Sequence, residues 1–500
     1  MENLKYKIVG NRHCLFPLLF IIFFLGWLQF AQDNSMQNTQ ETQGVQKRKT
    51  WKNSPERIQV ANKNKENENS APFSFIFQQD ISSPLTVIRL LIAGGKKSEP
   101  LDRKGLAFLT TRLAVEIPEN SDVIKLMTLG SSISADVEGD YSSITITCLS
   151  ENLAETLKIF SRTFMDPLFS SLRISTIKKN MVYQQKNEED NTELLMEREY
   201  FNIFLENNGY GGSIFGLAEG NPNSLEVIKK KDIENFYNTY FNRSHISIVV
   251  ISDLIHSEIE PIIKKYFQTL ALVPGEPVQS VQEVGPSVQE GQPKEEFRND
   301  IHNEKREYYF KKENIQSLVS LGALLPGMSP RHFVCAYMLE NLLGGGIGSR
   351  IWPLREEMNL AYSLKAKAIQ LKDAGIMWIY LKTDSSRKER AFGALKEILS
   401  NLYKNGISEE EFFAVKVRTR AHFMRNNETK EMRTFYLGLF ERIGPGFEFI
   451  ENFFSAVDTL TLADFNAYIQ QVLKPGILVN IIIGPEKLAE SAELVASVGD

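Results

Sequence analysis

The sequence predicts an α+β protein of two homologous lobes, each a mainly antiparallel sheet covered by helices, joined by a linker into a clamshell. Three observations support this prediction. The chain has 500 residues, of which 42% are hydrophobic, so it can bury more than one core. Apolar strand-like runs alternate with helix-like stretches. The order of these elements in residues 73–272 is repeated in residues 305–500.

The N-terminus carries basic residues and then the apolar run Leu15–Leu28. Fourteen residues are few for a membrane-spanning helix and fit the core of a signal peptide. Residues 1–31 are therefore predicted to be a signal peptide or an uncleaved N-terminal anchor, and the rest of the chain to be exported to the periplasm or cell envelope. Residues 32–72 are rich in Asn, Gln, Lys and Glu, which predicts a disordered polar tether.

The first lobe is predicted over residues 73–272. It begins with a strand at Leu85–Ile92, a helix at Leu106–Val115 and a hairpin at Ile133–Cys148. Further elements are the helices Leu153–Phe164, Leu172–Leu205 and Asp232–Tyr240 and the buried strand Ile246–Ile251. Strands followed by helices in this order predict one sheet with helices on it.

A segment rich in Pro, Gly, Gln and Glu over residues 273–304 predicts a linker. The second lobe, residues 305–500, then repeats the first. The repeated elements are the strand Gln316–Leu324, the hairpin Ser363–Leu381, the helix Asp464–Leu473 and the strand Ile477–Ile483. The simplest interpretation is an internal duplication.

One stretch of the second lobe, Gly344–Tyr362, can carry chemistry. The glycines Gly344, Gly345 and Gly346 interrupt a helix-like run, Ser349 can cap a new short helix, and Asn359 suits a turn with positive φ. Arg355 and Tyr362 add a fixed cation and a phenol. Such a pair can grip a peptide carbonyl or the oxyanion that it becomes.

The pattern Gly-Gly-x-x-x-Ser-Arg-x-x-x-Leu-Arg-Glu-x-x-x-Leu-Ala-Tyr in this stretch resembles the C-terminal signature of the insulinase/pitrilysin-like zinc peptidases, in the processing-peptidase branch. The resemblance implies that Arg355 and Tyr362 hold the substrate carbonyl and that Gly344–Gly346 contact substrate. It also implies that the edge strand containing Ser134 and Ala135 accepts an extended peptide as an additional strand.

Peptidases of this family bind zinc through His-x-x-Glu-His on a helix and a glutamate further along the chain. Here the flanking Lys104–Ala107 matches the family, but the functional positions do not. They are occupied by Phe108, Thr111, Arg112 and, for the last ligand, Gln185 or Gln184. Phenylalanine cannot ligate a metal, threonine is no general base at neutral pH, and arginine is a fixed cation. No metal site and no cofactor are therefore expected in this chain.

Two functions follow from the resemblance. In the first, the chain is the non-catalytic subunit of an exported heteromeric zinc metalloendopeptidase. A homologous partner would carry the zinc, and Arg355 and Tyr362 would act on an extended or unfolded substrate from the cavity between the lobes. In the alternative, it is a peptide-binding or scaffold protein of the cell envelope with no role in hydrolysis.

A net charge of −5 without a basic stripe argues against nucleic acid as a partner. Membrane contact is expected only through an uncleaved N-terminal segment.

Overall fold

Two mainly antiparallel sheets, one in each half of the chain, form the frame of the protein and confirm the predicted fold class. The computed structural model describes residues 53–60, 73–206, 222–242, 245–267, 306–313, 316–344 and 346–488. The described residues belong to one structural unit, Trp51–Asp500. The predicted signal peptide or anchor, the linker and Gly345 lie outside them. Within the described part, no helix is both long and apolar enough to cross a membrane.

The first sheet, as far as the chain is described, has six strands in the spatial order β1-β2-β6-β3-β5-β4. Strands β2 and β6 are parallel, and the other neighbours in this sheet are antiparallel. The strands are β1 Glu56–Val60, β2 Phe73–Gln79, β3 Leu85–Ile92, β4 Ser132–Val137, β5 Ser142–Leu149 and β6 Ile246–Ser252. The helices of this half are α1 Leu106–Ala114, α2 Asn120–Thr128, α3 Leu153–Met165, α4 Ser171–Asp190, α5 Thr192–Glu206, α6 Pro222–Val227, α7 Lys230–Tyr240 and α8 His256–Phe267.

The second sheet repeats this connectivity in the order β7-β11-β8-β10-β9, which corresponds to β2-β6-β3-β5-β4 of the first. Its strands are β7 Glu307–Lys311, β8 Gln316–Pro326, β9 Ser363–Gln370, β10 Ala374–Asp384 and β11 Val479–Gly484. The accompanying helices are α9 Pro330–Gly344, α10 Pro353–Glu356, α11 Lys388–Asn405, α12 Glu409–Asn426, α13 Lys430–Ile443, α14 Phe449–Thr459 and α15 Leu462–Val472. The equivalent strand orders are what an internal duplication produces.

Two details of the sequence interpretation are wrong. Part of the predicted tether, Glu56–Val60, is strand β1, which pairs antiparallel with β2. It forms because Ile58 and Val60 alternate with polar residues and are buried on the sheet. The single helix predicted over Leu172–Leu205 is two, because Asn191 breaks it. The Asn191 side chain accepts from the backbone N–H groups of Glu193 and Leu194 at 2.9 and 3.2 Å and caps α5.

The two lobes exchange helices. Helix α5 of the first lobe packs on the second sheet, where Tyr200 is fully buried, stacks near Trp378 and shares a 2.8 Å hydrogen bond with Ser320. A Cβ on Gly322 would come within 2.3 Å of the Tyr200 ring, so glycine is needed at this contact.

Helix α13 of the second lobe packs reciprocally on β3 and β6 of the first. Lys430 donates to the carbonyls of Ser83 and Leu85 at 2.7 and 2.8 Å, and Arg433 pairs with Asp80. Burial opposes ionisation of Asp80, but the hydrogen bonds from Arg433 and Ser82 and the charge of Arg433 together outweigh it and lower the pKa to about 2. Separating the lobes would remove a packed helix from each sheet, so rigid opening within this chain is disfavoured.

Candidate functional site

Helix α1 carries three of the four positions at which the resemblance places zinc-site residues. It begins after Gly105, which has φ +93°, and its N-terminus is capped by the buried Glu99. The Glu99 carboxyl group accepts from the N–H of Gly105 at 3.1 Å and of Ala107 at 2.7 Å. Burial raises the pKa of this carboxyl group to about 8, although both hydrogen bonds act in the opposite direction.

The side chains at these positions do not fit a zinc ion. Phe108 packs against the core of the first lobe, and the fully buried Thr111 already donates to the Ala107 carbonyl at 2.7 Å. Arg112 brings a positive charge. In the described residues, no group of three His, Cys, Asp or Glu side chains is arranged to hold a metal ion.

The fourth position lies on α4, which packs against α1. Gln184 is exposed, whereas Gln185 is partly buried. The Oε1 atom of Gln185 is buried without a protein hydrogen-bond partner. The fold therefore brings the α1 and α4 positions to neighbouring helices, as in a metal site, but with an amide in place of a carboxylate.

The glycine loop of the second lobe has the backbone geometry that the sequence indicates. Gly344 ends α9, and a Cβ there would lie 2.4 Å from the backbone nitrogen of Ala366 on β9. Gly346 and Gly348 have φ of +89° and +80°, and Asn359 has φ +52°, as predicted. Gly345 lies outside the described residues.

The proposed capping role of Ser349 is wrong. Its side chain is buried and its hydroxyl has no protein partner, while α10 starts four residues later at Pro353. Pro353 occupies the first turn of α10, where its missing N–H breaks no helical hydrogen bond. The short helix starts through the fixed φ of proline instead of through a side-chain cap.

Three arginines that the sequence analysis did not identify stabilise the segment between α9 and β9 through ion pairs and hydrogen bonds. Arg350 makes a two-point ion pair with Glu411 of α12 at 2.6 and 2.5 Å. Arg418 of the same helix donates to the Gly348 carbonyl at 2.5 Å, and Arg387 donates to the Asn359 carbonyl at 2.9 Å. These contacts join residues 28 to 70 positions apart, so no local pattern reveals them.

Arg355 and Tyr362 lie on the surface of the second lobe. The Arg355 side chain is half exposed, stacks 5.6 Å over the Trp352 ring and lies 3.5 Å from the Glu356 carboxylate. Tyr362 is 59% exposed, and its backbone N–H donates to the Lys382 carbonyl at 2.8 Å. Within the described part of the chain its hydroxyl group has no partner, so both side chains are accessible to an external ligand.

A cavity of about 370 Å³ lies between the lobes, with Glu138 and Tyr141 from the first lobe and residues of α9, β9, α12 and α13 from the second. Neither Arg355 nor Tyr362 lines it. The pair therefore does not contribute to this cavity, and its role in a site between the lobes stays a prediction. The exchanged helices hold the two lobes together, and the Arg355 and Tyr362 side chains are exposed.

The edge strand β4 contains the predicted peptide-binding residues. Ser134 is exposed and Ala135 is buried against the sheet. On one side β4 pairs with β5, and on its other side the described residues provide no backbone partner. An unpaired edge of this kind can accept an extended peptide.

Comparison with known proteins identifies two sequence models of one peptidase family along the chain. The sequence model of the family described as Insulinase (Peptidase family M16) matches residues 75–217. The one described as Peptidase M16 inactive domain matches residues 228–417. Together they cover most of both lobes.

Individual relatives are distant but extensive. The chain is 21% identical to the non-peptidase homolog YmxG of Helicobacter pylori over 414 residues, which are 80% of this chain and 89% of the relative. It resembles the crystal structure of a protease from Helicobacter pylori with a TM-score of 0.72 and 17% identity, over 86% of this chain and 100% of the other. It also resembles a chain of complex III2 from Candida albicans with a TM-score of 0.65 and 14% identity, over 83% of this chain and 94% of the other.

Proposed function

The chain belongs to the M16, or insulinase, family of peptidases as an inactive homologue, and we propose that it is the non-catalytic subunit of an exported heteromeric zinc metalloendopeptidase. A homologous partner chain would carry the metal. The observation that carries the proposal is the contrast between the two lobes. The α1 positions hold residues that cannot ligate zinc, whereas Arg355 and Tyr362 remain exposed and accessible.

The role of this chain would be to bind the substrate and to stabilise its carbonyl group. The Arg355 guanidinium and the Tyr362 hydroxyl are hydrogen-bond donors that can hold a carbonyl oxygen as it gains negative charge. The arginines that hold the loop at Gly348 and Asn359 limit the movement of the segment that carries both groups. Such preorganisation makes electrostatic stabilisation effective. The glycine segment Gly344–Gly346 precedes them and would contact substrate through its backbone.

The packing of the lobes supports a shared site. Because α5 and α13 are exchanged, a large chamber is difficult to open inside this chain, while Arg355 and Tyr362 are exposed at its surface. A second chain placed against this face would close a chamber around the substrate. The fold is compatible with assembly, since a chain of the complex III2 structure has it.

The unpaired edge of β4 would bind an extended or unfolded polypeptide as an additional strand. The same edge also favours the second candidate, a peptide-binding or scaffold protein of the cell envelope that takes no part in hydrolysis. In that case Arg355 and Tyr362 would have no effect on any partner's turnover. Export in either case rests on the signal-like run Leu15–Leu28.

The proposal is tested by isolating the chain from its native envelope and identifying co-purifying proteins by mass spectrometry. A homologue with an intact His-x-x-Glu-His motif is expected among them. Each purified chain alone should leave an unfolded polypeptide intact, and the mixture should cleave it. A partner that is fully active alone, with no gain on mixing, would contradict the proposal and leave the peptide-binding function.

A further inference from the structure

The cavity between the lobes contains charged groups that the proposed function does not use. Glu138 follows β4, and Glu340 lies near the end of α9. One oxygen of Glu340 accepts from the Ala368 N–H at 2.9 Å. The Glu138 carboxylate has no hydrogen-bond partner in the described part of the chain, although solvent reaches it from the cavity.

Two lysines also line the cavity, and they differ in whether an acidic side chain of the described residues pairs with them. Lys367 pairs with Glu197 of α5 at 3.0 Å and lies 5.2 Å over the Trp378 ring. Lys365 is exposed and has no ion-pair partner among the described residues. The cavity wall therefore carries two carboxylates and, in the described part of the chain, one lysine without an ion-pair partner. Burial raises the pKa of Glu340, although the hydrogen bond from the Ala368 N–H and the nearby Lys365 and Lys367 act in the opposite direction.

The rest of the wall is mainly aromatic and aliphatic. It includes Phe333, Tyr337, Phe435 and Tyr436. Rings of this kind contact both apolar groups and organic cations favourably. Gln370 also lines the cavity, and both polar atoms of its amide are buried without a protein partner. A volume of about 370 Å³ is sufficient for a small organic ligand or the end of a peptide.

We propose that this cavity binds an ammonium group carried on an aromatic or apolar body, with the ammonium facing Glu138 and Glu340 and the body against the aromatic wall. The N-terminal residue of a peptide and a free aromatic amine share this chemistry. The site does not depend on hydrolysis or on a partner chain.

Isothermal titration calorimetry of the full chain at pH 7 tests the proposal with two matched ligand pairs. One pair is 2-phenylethylamine and its N-acetyl derivative. The other is a tetrapeptide amide that begins with phenylalanine and the same peptide N-acetylated. At least one charged ligand is expected to bind about tenfold or more tightly than its neutral counterpart. Preference for the peptide identifies a peptide N-terminus, and equal or tighter binding of the amine identifies a free amine.

Substitutions of charged residues in the cavity wall should change the ligand affinity in opposite directions. Glu340→Gln keeps an acceptor for the Ala368 N–H but removes the charge, so it and Glu138→Gln should weaken binding about tenfold. Lys365→Met removes the competing cation and should strengthen binding. Glu397→Gln, an exposed change on α11, should have no effect. Absence of binding, equal binding of the acetylated ligands, or weaker binding by Lys365→Met would overturn the proposal, whatever the outcome of the hydrolysis assay.

Discussion

Strands β4 and β9 occupy equivalent edges of the two sheets, but their surroundings differ. Among the described residues, neither strand has a backbone partner on its outer side, and the equivalent helices α1 and α9 pack against β4 and β9 respectively. In this part of the chain, only at β9 does a helix side chain, Glu340, bind a backbone N–H of the strand, that of Ala368. Gly344 allows this close approach, since a Cβ there would meet Ala366. The edge of β4 is therefore better suited to peptide addition, since Glu340 already occupies one backbone donor of β9.

Of the two exchanged helices, α5 is the subject of the prediction with the largest expected effect on stability. Tyr200→Ala removes a fully buried ring packed near Trp378 and Phe204 and should lower the free energy of unfolding by about 3–5 kcal/mol. Urea denaturation measures this loss. Tyr183→Ala on α4, where the ring is exposed, is the matched control and should change stability by less than about 0.5 kcal/mol. Equal effects of the two changes would show that α5 does not stabilise the lobe contact.

The second prediction compares the starts of the equivalent helices α1 and α9. Helix α9 starts at Ser329-Pro330, where the Ser329 hydroxyl accepts from the His332 N–H at 3.1 Å, but α1 starts on the buried Glu99. Because the folded-state pKa of Glu99 is about 8 against an ordinary 4.5, the native state holds a proton that the unfolded state has lost. The contribution of Glu99 to stability is complete below about pH 4.5 and is lost as pH rises through about 8.

Glu99→Gln should therefore remove part of the fall in stability between pH 5 and pH 9, since glutamine can still accept a hydrogen bond from the helix N-terminus. Unfolding free energies of both proteins at these two pH values measure the difference. Identical pH slopes for the variant and the wild-type chain would contradict this account of Glu99.

The third prediction concerns a substitution that removes one difference between the edge strands β4 and β9. Glu340→Ala leaves the Ala368 N–H without its partner and should destabilise the chain by about 1–3 kcal/mol. Glu340→Gln, which retains an acceptor, is the control and should be closer to wild type. Hydrogen exchange at Ala368 should accelerate in the alanine variant, and an unchanged rate there would mean that α9 protects the edge without Glu340.

The smallest effect concerns ligand binding at the edges. An extended, unfolded peptide should slow hydrogen exchange in β4, Ser132–Val137, and leave β9, Ser363–Gln370, unchanged. A peptide with alternate N-methylated residues cannot donate to the edge and should give no protection. Slower hydrogen exchange in β9 without slower exchange in β4 would contradict the proposed difference between the two edges.

Local patterns were sufficient for the repeated strands and for the positive φ of Asn359, because burial periodicity and turn chemistry depend on neighbouring residues. They missed β1, whose two buried residues are surrounded by polar sequence. They also missed the exchange of α5 and α13 and the contact of Arg418 with Gly348, which bring together residues far apart in the chain.

The central claim is tested most directly by steady-state hydrolysis with the heteromer assembled from a zinc-bearing partner and the Arg355→Ala chain. The proposal predicts that kcat falls about 10²–10³-fold, as for the loss of one oxyanion donor, while the affinity between the subunits is unchanged. Arg331→Ala, a change at another exposed arginine, should leave kcat unaltered. An unchanged kcat for Arg355→Ala in a fully assembled complex would contradict a role for this chain in stabilising the substrate carbonyl.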